Sequence, residues 1–316
     1  MTSVLIPNFN GAPYIEECIH SLMYQLQKGD EIVVVDDHST DDSLPLLQSC
    51  AQENPSVVVS SNPKKGGASA RNHAFNLSKG ECIQWMDIDD FLGKDKLSLC
   101  TLHIKKYPTQ LHTCPWHSFE GGLRDRAISD DVDWNTIPEF SSPAEWLARD
   151  TFMALHCYAG HRTLFEQAGP WDESLTINQD GEYFARVVAT SQGVRFTHET
   201  EVFYRRLSSG SVSRFSPEKA DSLYRSTESM VRTAIHLEDS EQMQQMAANR
   251  WQHFIYTVYP SRGDLIAKAE NQLKHLPKPN ISNPNAVSPL SKLVSNVLGW
   301  KTLSQTRLLR ARLQSR

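Results

Sequence analysis

The sequence predicts an α/β fold organised around a mainly parallel central sheet. Short apolar segments, often β-branched, alternate with segments whose apolar residues recur at helical spacing, which is typical of βαβ units. Polar residues, several of them acidic, directly follow three of the predicted strands. The 316 residues are 39% hydrophobic and 22% charged, which is ordinary for a soluble globular protein with a sizeable core.

The first strand is predicted at Val4–Ile6, and Pro7 ends it. Asn8, Asn10 and Gly11 then predict a turn. A core-facing helix follows, because its apolar residues recur at intervals of three and one. These residues are Ile15, Cys18, Ile19, Leu22, Met23 and Leu26.

The second strand is predicted at Glu31–Val35, and it runs into Asp36 and Asp37. A leucine-containing helix comes next, and the third strand is predicted at Val57–Val59. A loop rich in Lys, Gly and Ser then opens a helix that Gly80 ends. The alternation of strand and helix therefore continues to the fourth strand.

The fourth predicted strand, Cys82–Met86, is followed by the carboxylates of Asp87, Asp89 and Asp90. Asp87 and Asp89 are separated by one residue, so on a continuing strand they would point the same way. A carboxylate pair at a strand end can hold a hard divalent cation and the phosphates that it carries. The alternative is that Asp89 or Asp90 caps a following helix, and Asp90 fits this alternative best.

Ligands of open α/β sheets bind at the carboxyl ends of the strands. Pro7, the pair Asp36–Asp37 and the segment Asp87–Asp89 all lie at such ends, so we expect them to line one crevice. The first strand is not followed by G-x-G-x-x-G, which argues against a dinucleotide-binding dehydrogenase. The chain also lacks a P-loop motif and a G-x-S-x-G elbow. A net charge of -5 gives no general case for nucleic-acid binding.

Residues 100–155 show no regular pattern, and Trp116, Trp134 and Trp146 stand among polar residues there. These tryptophans are expected either in a substrate-facing insertion, where acceptor choice would reside, or in the core. Further on, Asp180 is predicted in or before the first turn of a helix. The apolar residues that predict this helix are Tyr183, Phe184, Val187 and Val188. Strands are predicted at Arg195–Phe196 and Glu201–Tyr204.

Several motifs, in this order and spacing, resemble those of the family 2 glycosyltransferases of the GT-A fold. They are Ser3–Gly11 (SVLIPNFNG), Val33–Asp41 (VVVDDHSTD), Gly66–Asn72 (GGASARN), Gly80–Asp90 (GE followed by MDIDD) and Phe165–Asp180 (FEQAGPWDE followed by QD). The resemblance covers roughly residues 3–215. It implies a GT-A fold, which is Rossmann-like with a mainly parallel central sheet, followed by a helical C-terminal extension.

The resemblance also implies the residues that bind a nucleotide-sugar donor, with a UDP-sugar favoured. These residues are Pro7, Asn8, Asp36, Asp37, Arg71, Asp87 and Asp89. Asp36 and Asp37 would hold the base and ribose, and Asp89 would ligate Mn²⁺ or Mg²⁺. His198 is a further metal ligand by analogy with some related enzymes, or else a structural histidine. Arg205 and Arg206 would meet the diphosphate, or else form a solvated basic strand end.

By the same resemblance, Asp180 is the catalytic base of a single displacement that inverts the anomeric configuration. Two residues depart from the family pattern. Gln179 replaces the usual glutamate, which removes a negative charge beside Asp180 and favours its ionisation. His38 replaces the commoner glycine of the nucleotide loop, which bears on the base that is accepted.

The predicted domain organisation is a GT-A domain at 1–215 and a helical region at 216–316. Residues 1–100 of the first would form the nucleotide-sugar half, and 101–215 the acceptor and catalytic-base half. The second would contain a linker rich in Pro and Asn and a basic amphipathic tail, with apolar residues at Leu290, Leu293, Val294, Val297 and Leu298. This tail is expected to pack on the protein, on a second subunit of a homo-oligomer, or on an anionic membrane surface.

No apolar stretch reaches the roughly 18 residues that span a bilayer, and the N-terminal segment does not resemble a signal peptide. A cytoplasmic protein is therefore expected, with the inner face of the cell membrane as a further location. The chain lacks the Q-x-x-R-W motif of processive family members, which favours transfer of one sugar to a saccharide, lipid-linked or other acceptor. The alternatives are a GT-A-like nucleotidyltransferase and a catalytically silent nucleotide- or glycan-binding protein.

Overall fold

The computed structural model describes residues 1–121, 132–206, 215–283 and 300–302. The strands in these ranges are β1 (Thr2–Asn8), β2 (Glu31–Asp36), β3 (Val57–Ser61), β4 (Cys82–Trp85), β5 (Phe91–Leu92), β6 (Leu111–Thr113), β7 (Trp116–Phe119), β8 (Phe140–Ser141), β9 (Ala159–His161), β10 (Val194–Phe196) and β11 (Val202–Arg205). The α-helices are α1 (Ala12–Met23), α2 (Ser43–Glu53), α3 (Gly67–Leu77), α4 (Lys96–Lys106), α5 (Pro143–Arg149), α6 (Arg162–Ala168), α7 (Gln179–Thr190), α8 (Ala220–Leu237), α9 (Glu241–Val258) and α10 (Gly263–Leu273).

The central sheet has the strand order β3-β2-β1-β4-β9-β6-β10-β8. Strands β3, β2, β1 and β4 run parallel, as the alternation of strands and helices predicts. Strand β9 is antiparallel to both β4 and β6, β10 is parallel to β6, and the edge strand β8 is antiparallel to β10. The predicted α/β class with a large central sheet is therefore confirmed, and its parallel part carries the predicted nucleotide end.

The parallel strands β1, β2 and β4 form because almost all of their residues are buried on both faces of the sheet. Every residue of β2 and of β4 is buried, and helix α1 adds the apolar face that its periodicity predicts to the same core. Strands of this kind read as continuous apolar runs rather than alternating ones. Burial on both faces also fixes the register, which pairs Asn8 at the end of β1 with Asp36 at the end of β2.

Strand β4 ends at Trp85, one residue earlier than predicted, and Asp87–Asp90 lie in the turn before β5. These carboxylates therefore do not continue a strand. The helix-capping role considered for Asp89 and Asp90 is wrong, because the next helix is α4 and its N-cap residue is Asp95. Strand β5 instead enters a second sheet of order β5-β11-β7, which brings the end of β11 to the turn.

The chain divides into two compact units. One consists of Met1–Ser174 and Gln179–Ser211, and the other consists of Leu175–Asn178 and Val212–Arg316. In the second unit, helices α8, α9 and α10 contribute to an apolar core that includes Trp251 and Phe254, which confirms the predicted helical C-terminal region. The apolar residues predicted at 290–298 lie outside the described residues. Within the described ranges, no helix combines the length and apolar character that a membrane span requires.

Candidate active site

A first group of carboxylates lies at the ends of β1 and β2. The amide Nδ2 of Asn8 donates to Oδ1 of Asp36 over 2.8 Å. Ser39 donates to the same carboxylate from its backbone nitrogen over 3.1 Å and from its hydroxyl over 2.6 Å. Asp36 is only 3% exposed, so these neutral donors replace the water that its carboxylate loses on folding.

The neighbouring carboxylate of Asp37 is held by the loop that opens α3. Asn62 donates its amide to Oδ1 over 2.7 Å, and the backbone nitrogen of Gly66 donates to both oxygens over 2.8 and 3.0 Å. His38 adopts φ 63°, the left-handed conformation that glycine reaches most easily, and its Nδ1 lies 3.5 Å from Asp37. A glycine could therefore adopt the same backbone conformation at this position, and His38 adds an imidazole side chain to it.

Pro7 and Asn8 lie at the same end of the sheet. Asn8 is 1% exposed, and its Oδ1 has no hydrogen-bond partner within the described ranges. A Cβ atom on Gly11 would lie 2.3 Å from this oxygen, so only glycine fits there. The ring of Phe9 is 46% exposed, and the ammonium of Lys65 lies 5.6 Å from its centroid. Phe9 was not among the predicted site residues, although an aromatic residue inside a polar turn was a visible signal.

Arg71 connects the turn after β4 with the start of α7. Its Nη2 lies 2.9 Å from Oδ1 of Asp87 and 4.0 Å from Oδ1 of Asp180. Its Nη1 donates to Oε1 of Gln179 over 3.2 Å, and the guanidinium stacks on the ring of Trp171 at 4.8 Å. The structure thus brings together three of the predicted site residues from distant parts of the chain.

Asp180 lies in the first turn of α7, as predicted. Its pKa is raised, because desolvation and the carboxylates of Asp87 and Asp90 oppose ionisation more than Arg71 favours it. The side chain nevertheless keeps 44% of its surface accessible, so a ligand can reach its carboxylate. Asp180 therefore combines access for a ligand with surroundings that favour uptake of a proton.

The carboxylate of Asp89 is crowded by like charges. Its pKa is raised to about 7, first by burial and then by the carboxylates of Asp90 and Asp87. A cation at this point would relieve that repulsion. Among the residues that the structure describes, no group of three or more His, Cys, Asp or Glu side chains is arranged to hold a metal ion.

Asp90 supports this turn from inside the protein. It is 1% exposed, accepts from the backbone nitrogen of Arg205 over 2.8 Å, and has Oδ2 at 3.1 Å from Nδ1 of His156. Arg205 also donates through Nε to the carbonyl of Asp89 over 2.8 Å, and it pairs with Glu17 at 3.3 Å. Arg205 is 7% exposed, so the solvated strand end considered for it is wrong. His156 was not among the predicted site residues, because no recognisable motif surrounds it.

The second predicted metal ligand, His198, has its own set of neighbours. Its Nε2 lies 3.1 Å from the carbonyl oxygen of Ile137, and its ring packs against Phe196 with centroids 4.8 Å apart. The side chain lines a cavity of about 560 Å³ together with His117 and Glu201, among others. None of these contacts includes Asp89, and ligation of a metal by His198 stays a prediction.

Comparison with known proteins assigns the chain to a family. The sequence model of glycosyl transferase family 2 matches residues 3–169, which is more than half of the chain. The chain belongs to this family. The family membership that the motifs predict is therefore confirmed.

Among relatives of this family 2 glycosyltransferase, the chondroitin synthase of Pasteurella multocida (strain Pm70) is 26% identical over 320 residues, covering 95% of this chain and 31% of the relative. The hyaluronan synthase of Pasteurella multocida is 26% identical over 320 residues, with 95% and 30% coverage. A poly(ribitol-phosphate) beta-glucosyltransferase of Bacillus spizizenii (strain ATCC 23059 / NRRL B-14472 / W23) is 41% identical over 99 residues, covering 30% of this chain and 16% of the relative. The chain spans about a third of the length of the two synthases.

The fold agrees with solved structures of S. aureus TarS. The crystal structure of TarS 1–349 in complex with UDP-GlcNAc superposes with a TM-score of 0.71 at 18% sequence identity, covering 98% of this chain and 91% of that chain. The complex of TarS 1–349 with UDP gives a TM-score of 0.64 at 18% identity, with 86% and 87% coverage. This likeness confirms the GT-A fold that the motifs imply.

Proposed function

We propose that this family 2 glycosyltransferase moves one sugar from a nucleotide-diphosphate sugar to a hydroxyl group of a saccharide, lipid-linked or other acceptor, with inversion at the anomeric carbon. The observation that carries the proposal is the network in which Arg71 joins Asp87 to Asp180. It sets an accessible carboxylate beside the end of a parallel strand, where ligands of α/β sheets bind.

The donor nucleotide would bind at Asp36 and Asp37, with Pro7 and Asn8 beside them. Each carboxylate is already oriented by internal donors, and a carboxylate oxygen can accept further bonds from a base N–H or a ribose hydroxyl. The exposed ring of Phe9 offers a face on which the base can stack. UDP is the favoured nucleotide, and the structural neighbour TarS has been crystallised with UDP and with UDP-GlcNAc.

Mn²⁺ or Mg²⁺ would be held by Asp89, while Asp87 would lie toward the ribose of the donor. These ions prefer oxygen ligands and need only one or two protein carboxylates beside the phosphates of a substrate. Burial and the neighbouring carboxylates raise the pKa of Asp89 to about 7, and the charge of such a cation would favour the ionised carboxylate. The bound cation supplies Lewis-acid stabilisation of the departing diphosphate. His198 is proposed as a further ligand.

Asp180 would act as the general base. Its accessible carboxylate takes the proton of the acceptor hydroxyl as that oxygen attacks the anomeric carbon from the face opposite the leaving diphosphate. A single displacement of an α-linked donor gives a β-glycoside. Arg71 orients Asp180 and favours its ionised form, and the neutral Gln179 accepts from Arg71 without adding a negative charge.

The proposal is tested by incubating the protein with a panel of UDP-, GDP- and TDP-sugars, with Mn²⁺ or with EDTA. The acceptors offered are chondroitin and hyaluronan oligosaccharides, which the names of two relatives suggest. Release of nucleoside diphosphate that requires both acceptor and metal supports the proposal. The coupling constant of the anomeric proton in the product then shows whether the configuration has been inverted. Release of pyrophosphate would indicate the nucleotidyltransferase alternative, and no product with any donor would indicate the silent binding protein.

For the basic tail, we propose peripheral contact with an anionic membrane surface at the cytoplasmic face of the cell membrane. The sequence at 290–316 combines apolar residues at helical spacing with Lys and Arg, a composition that suits such contact and a lipid-linked acceptor. Packing of the tail on the protein itself or on a second subunit of a homo-oligomer is the competing proposal. Flotation with anionic liposomes, with and without residues 286–316, separates the two, because equal recovery with the lipid contradicts the membrane role.

A further inference from the structure

An aromatic cluster formed by Trp116, Phe152 and Tyr204 lies close to the carboxylates that follow β4. The ring centroids are 5.3 Å apart for Trp116 and Phe152, 6.1 Å for Trp116 and Tyr204, and 6.3 Å for Phe152 and Tyr204. The indole nitrogen of Trp116 donates to the carbonyl oxygen of Phe152 over 3.1 Å, which fixes the loop that carries Phe152. Phe152 nevertheless has 61% of its surface exposed.

Short contacts connect this cluster with the candidate active site. Tyr204 directly precedes Arg205, whose backbone nitrogen donates to Asp90 over 2.8 Å. The imidazole of His156 stacks on Tyr204 with centroids 6.5 Å apart and lies 3.1 Å from the same carboxylate. Burial, followed by the carboxylates of Asp90 and its neighbours in the site, raises the pKa of Tyr204 to about 12. Tyr204 and the buried His156 thus connect the aromatic cluster to Asp90, which supports the turn that carries Asp87 and Asp89.

The cluster and the nucleotide-binding residues belong to different parts of the fold. Asp36 and Asp37 follow β2, which lies toward the β3 edge of the central sheet. Trp116 and Tyr204 belong to β7 and β11, which pair with each other in the second sheet. The cluster therefore lies outside the residues that are proposed to bind the nucleotide.

We propose that Phe152, backed by Trp116 and Tyr204, is the surface on which a pyranose ring of the acceptor carbohydrate stacks. This inference rests on the proposed function. A β-linked pyranose presents a face of axial C–H groups, which is apolar, and hydroxyl groups at its edge. An aromatic side chain suits the face, while the polar groups of the site remain for the hydroxyls.

The binding test uses saturation-transfer NMR with three probes: methyl β-D-glucopyranoside, methyl β-D-galactopyranoside and methyl N-acetyl-β-D-glucosaminide. We expect saturation of the axial protons of at least one probe with the wild-type protein. The signal should fall about tenfold in Phe152→Ala, persist in Phe152→Tyr, and stay unchanged in the control Leu102→Ala, whose side chain is 62% exposed on α4. The signal should also persist when UDP and Mn²⁺ are added.

Three results would overturn the subsite. They are no signal from any probe, an undiminished signal in Phe152→Ala, and loss of the signal on addition of UDP, which would place the sugar probe in the donor pocket. A kinetic test distinguishes a role of Phe152 in acceptor binding from a merely structural role. With an accepted oligosaccharide, Phe152→Ala should raise the acceptor KM about tenfold and leave the donor KM unchanged.

The two proposals fail in different ways. If the transferase proposal is wrong, the wild-type protein releases no nucleoside diphosphate from any donor. If only the subsite is wrong, the wild-type protein is active and Phe152→Ala has the same acceptor KM. Phe152 is exposed, so its replacement by alanine should leave the fold intact. Phe152→Tyr restores the ring, and it must restore binding as well.

Discussion

Two groups of carboxylates in the site differ in how the protein balances their charge. Asp36 and Asp37 are almost completely buried, and amide, hydroxyl and backbone N–H donors hold them. Asp89 and Asp180 have raised pKa values, and Arg71 is the cation that opposes this shift at Asp180. The carboxylates of the first group already have their hydrogen-bond donors before any ligand binds. The second has excess negative charge that a cation or a proton would reduce.

Under the proposed function, this difference would separate recognition of the nucleotide from the chemistry of transfer. A carboxylate fixed by internal hydrogen bonds presents a constant surface to a ligand, because its orientation does not have to be established on binding. A carboxylate with a raised pKa is suited to exchange a proton or to bind a metal ion. We therefore expect substitutions in the first group to affect nucleotide affinity and substitutions in the second group to affect turnover.

The largest effect should come from Asp180→Asn. The amide keeps the shape of the side chain but cannot take a proton, so turnover should fall by about 10²- to 10⁴-fold. Affinity for UDP, measured by titration calorimetry, should be unchanged. Asp42→Asn is the matched control, since Asp42 is exposed at the start of α2 and its side chain makes no capping bond. A variant that transfers at the native rate would show that the base lies elsewhere.

Arg71→Lys should have the next largest effect. Arg71 contacts Asp87 and Gln179 through two different nitrogens of its planar guanidinium, and an ammonium cannot reproduce both contacts. Turnover should fall about tenfold to a hundredfold at saturating donor. Arg195→Lys is the control, because Arg195 likewise bonds a glutamine and stacks on an aromatic ring, but on β10. Equal turnover in Arg71→Lys and Arg195→Lys would contradict a role for the two contacts of the Arg71 guanidinium.

Asn62→Ala tests the first group, Asp36 and Asp37, whose hydrogen-bond donors are in place before a ligand binds. Asn62 is 3% exposed, and its amide holds Asp37 at 2.7 Å, so its removal should destabilise the protein by about 1–3 kcal/mol and weaken UDP binding. Urea unfolding and calorimetry measure the two effects. Asn54→Ala, which removes a bond to the carbonyl of Cys50, should lower stability without changing UDP affinity. Unchanged UDP affinity in Asn62→Ala would argue against Asp37 as a nucleotide ligand.

The smallest expected effect is the pH dependence of metal binding. Asp89 has a raised pKa of about 7, so below this pH it is protonated and must release its proton before it binds a cation. In the presence of UDP, Mn²⁺ affinity should therefore fall about tenfold per pH unit below pH 7 and level off above it. Electron paramagnetic resonance of free Mn²⁺ measures the affinity.

Asp90→Asn sharpens the same prediction. The substitution removes a like charge that raises the pKa of Asp89, so the inflection should move to lower pH. Asp42→Asn should leave the inflection in place. Mn²⁺ affinity that is constant between pH 6 and 8 would show that Asp89 is not the titrating ligand.

Much of the fold and of the arrangement at the ends of β1 and β2 could be predicted from the sequence, because both depend on local patterns. Apolar runs and helical periodicity predict the parallel strands β1 to β4 and the helices between them. Parallel strands bring their carboxyl ends to one edge, so the residues after each strand, such as Asn8 and Asp36, are neighbours by topology alone. The motifs added the identity of Asp87, Arg71 and Asp180, which the structure brings together.

The details of the turn after β4 were decided by tertiary structure. Asp90 was interpreted as a helix cap, but it binds the backbone of Arg205, which is 115 residues away. Trp116, Tyr204 and Arg205 come together because the second sheet pairs β7 with β11. The segment before β9 brings Phe152 against Trp116 and His156 against Tyr204. No periodicity or short motif in the sequence predicts these long-range contacts. Local sequence patterns determine which segments become strands and helices, whereas contacts between segments far apart in the chain depend on how those elements pack.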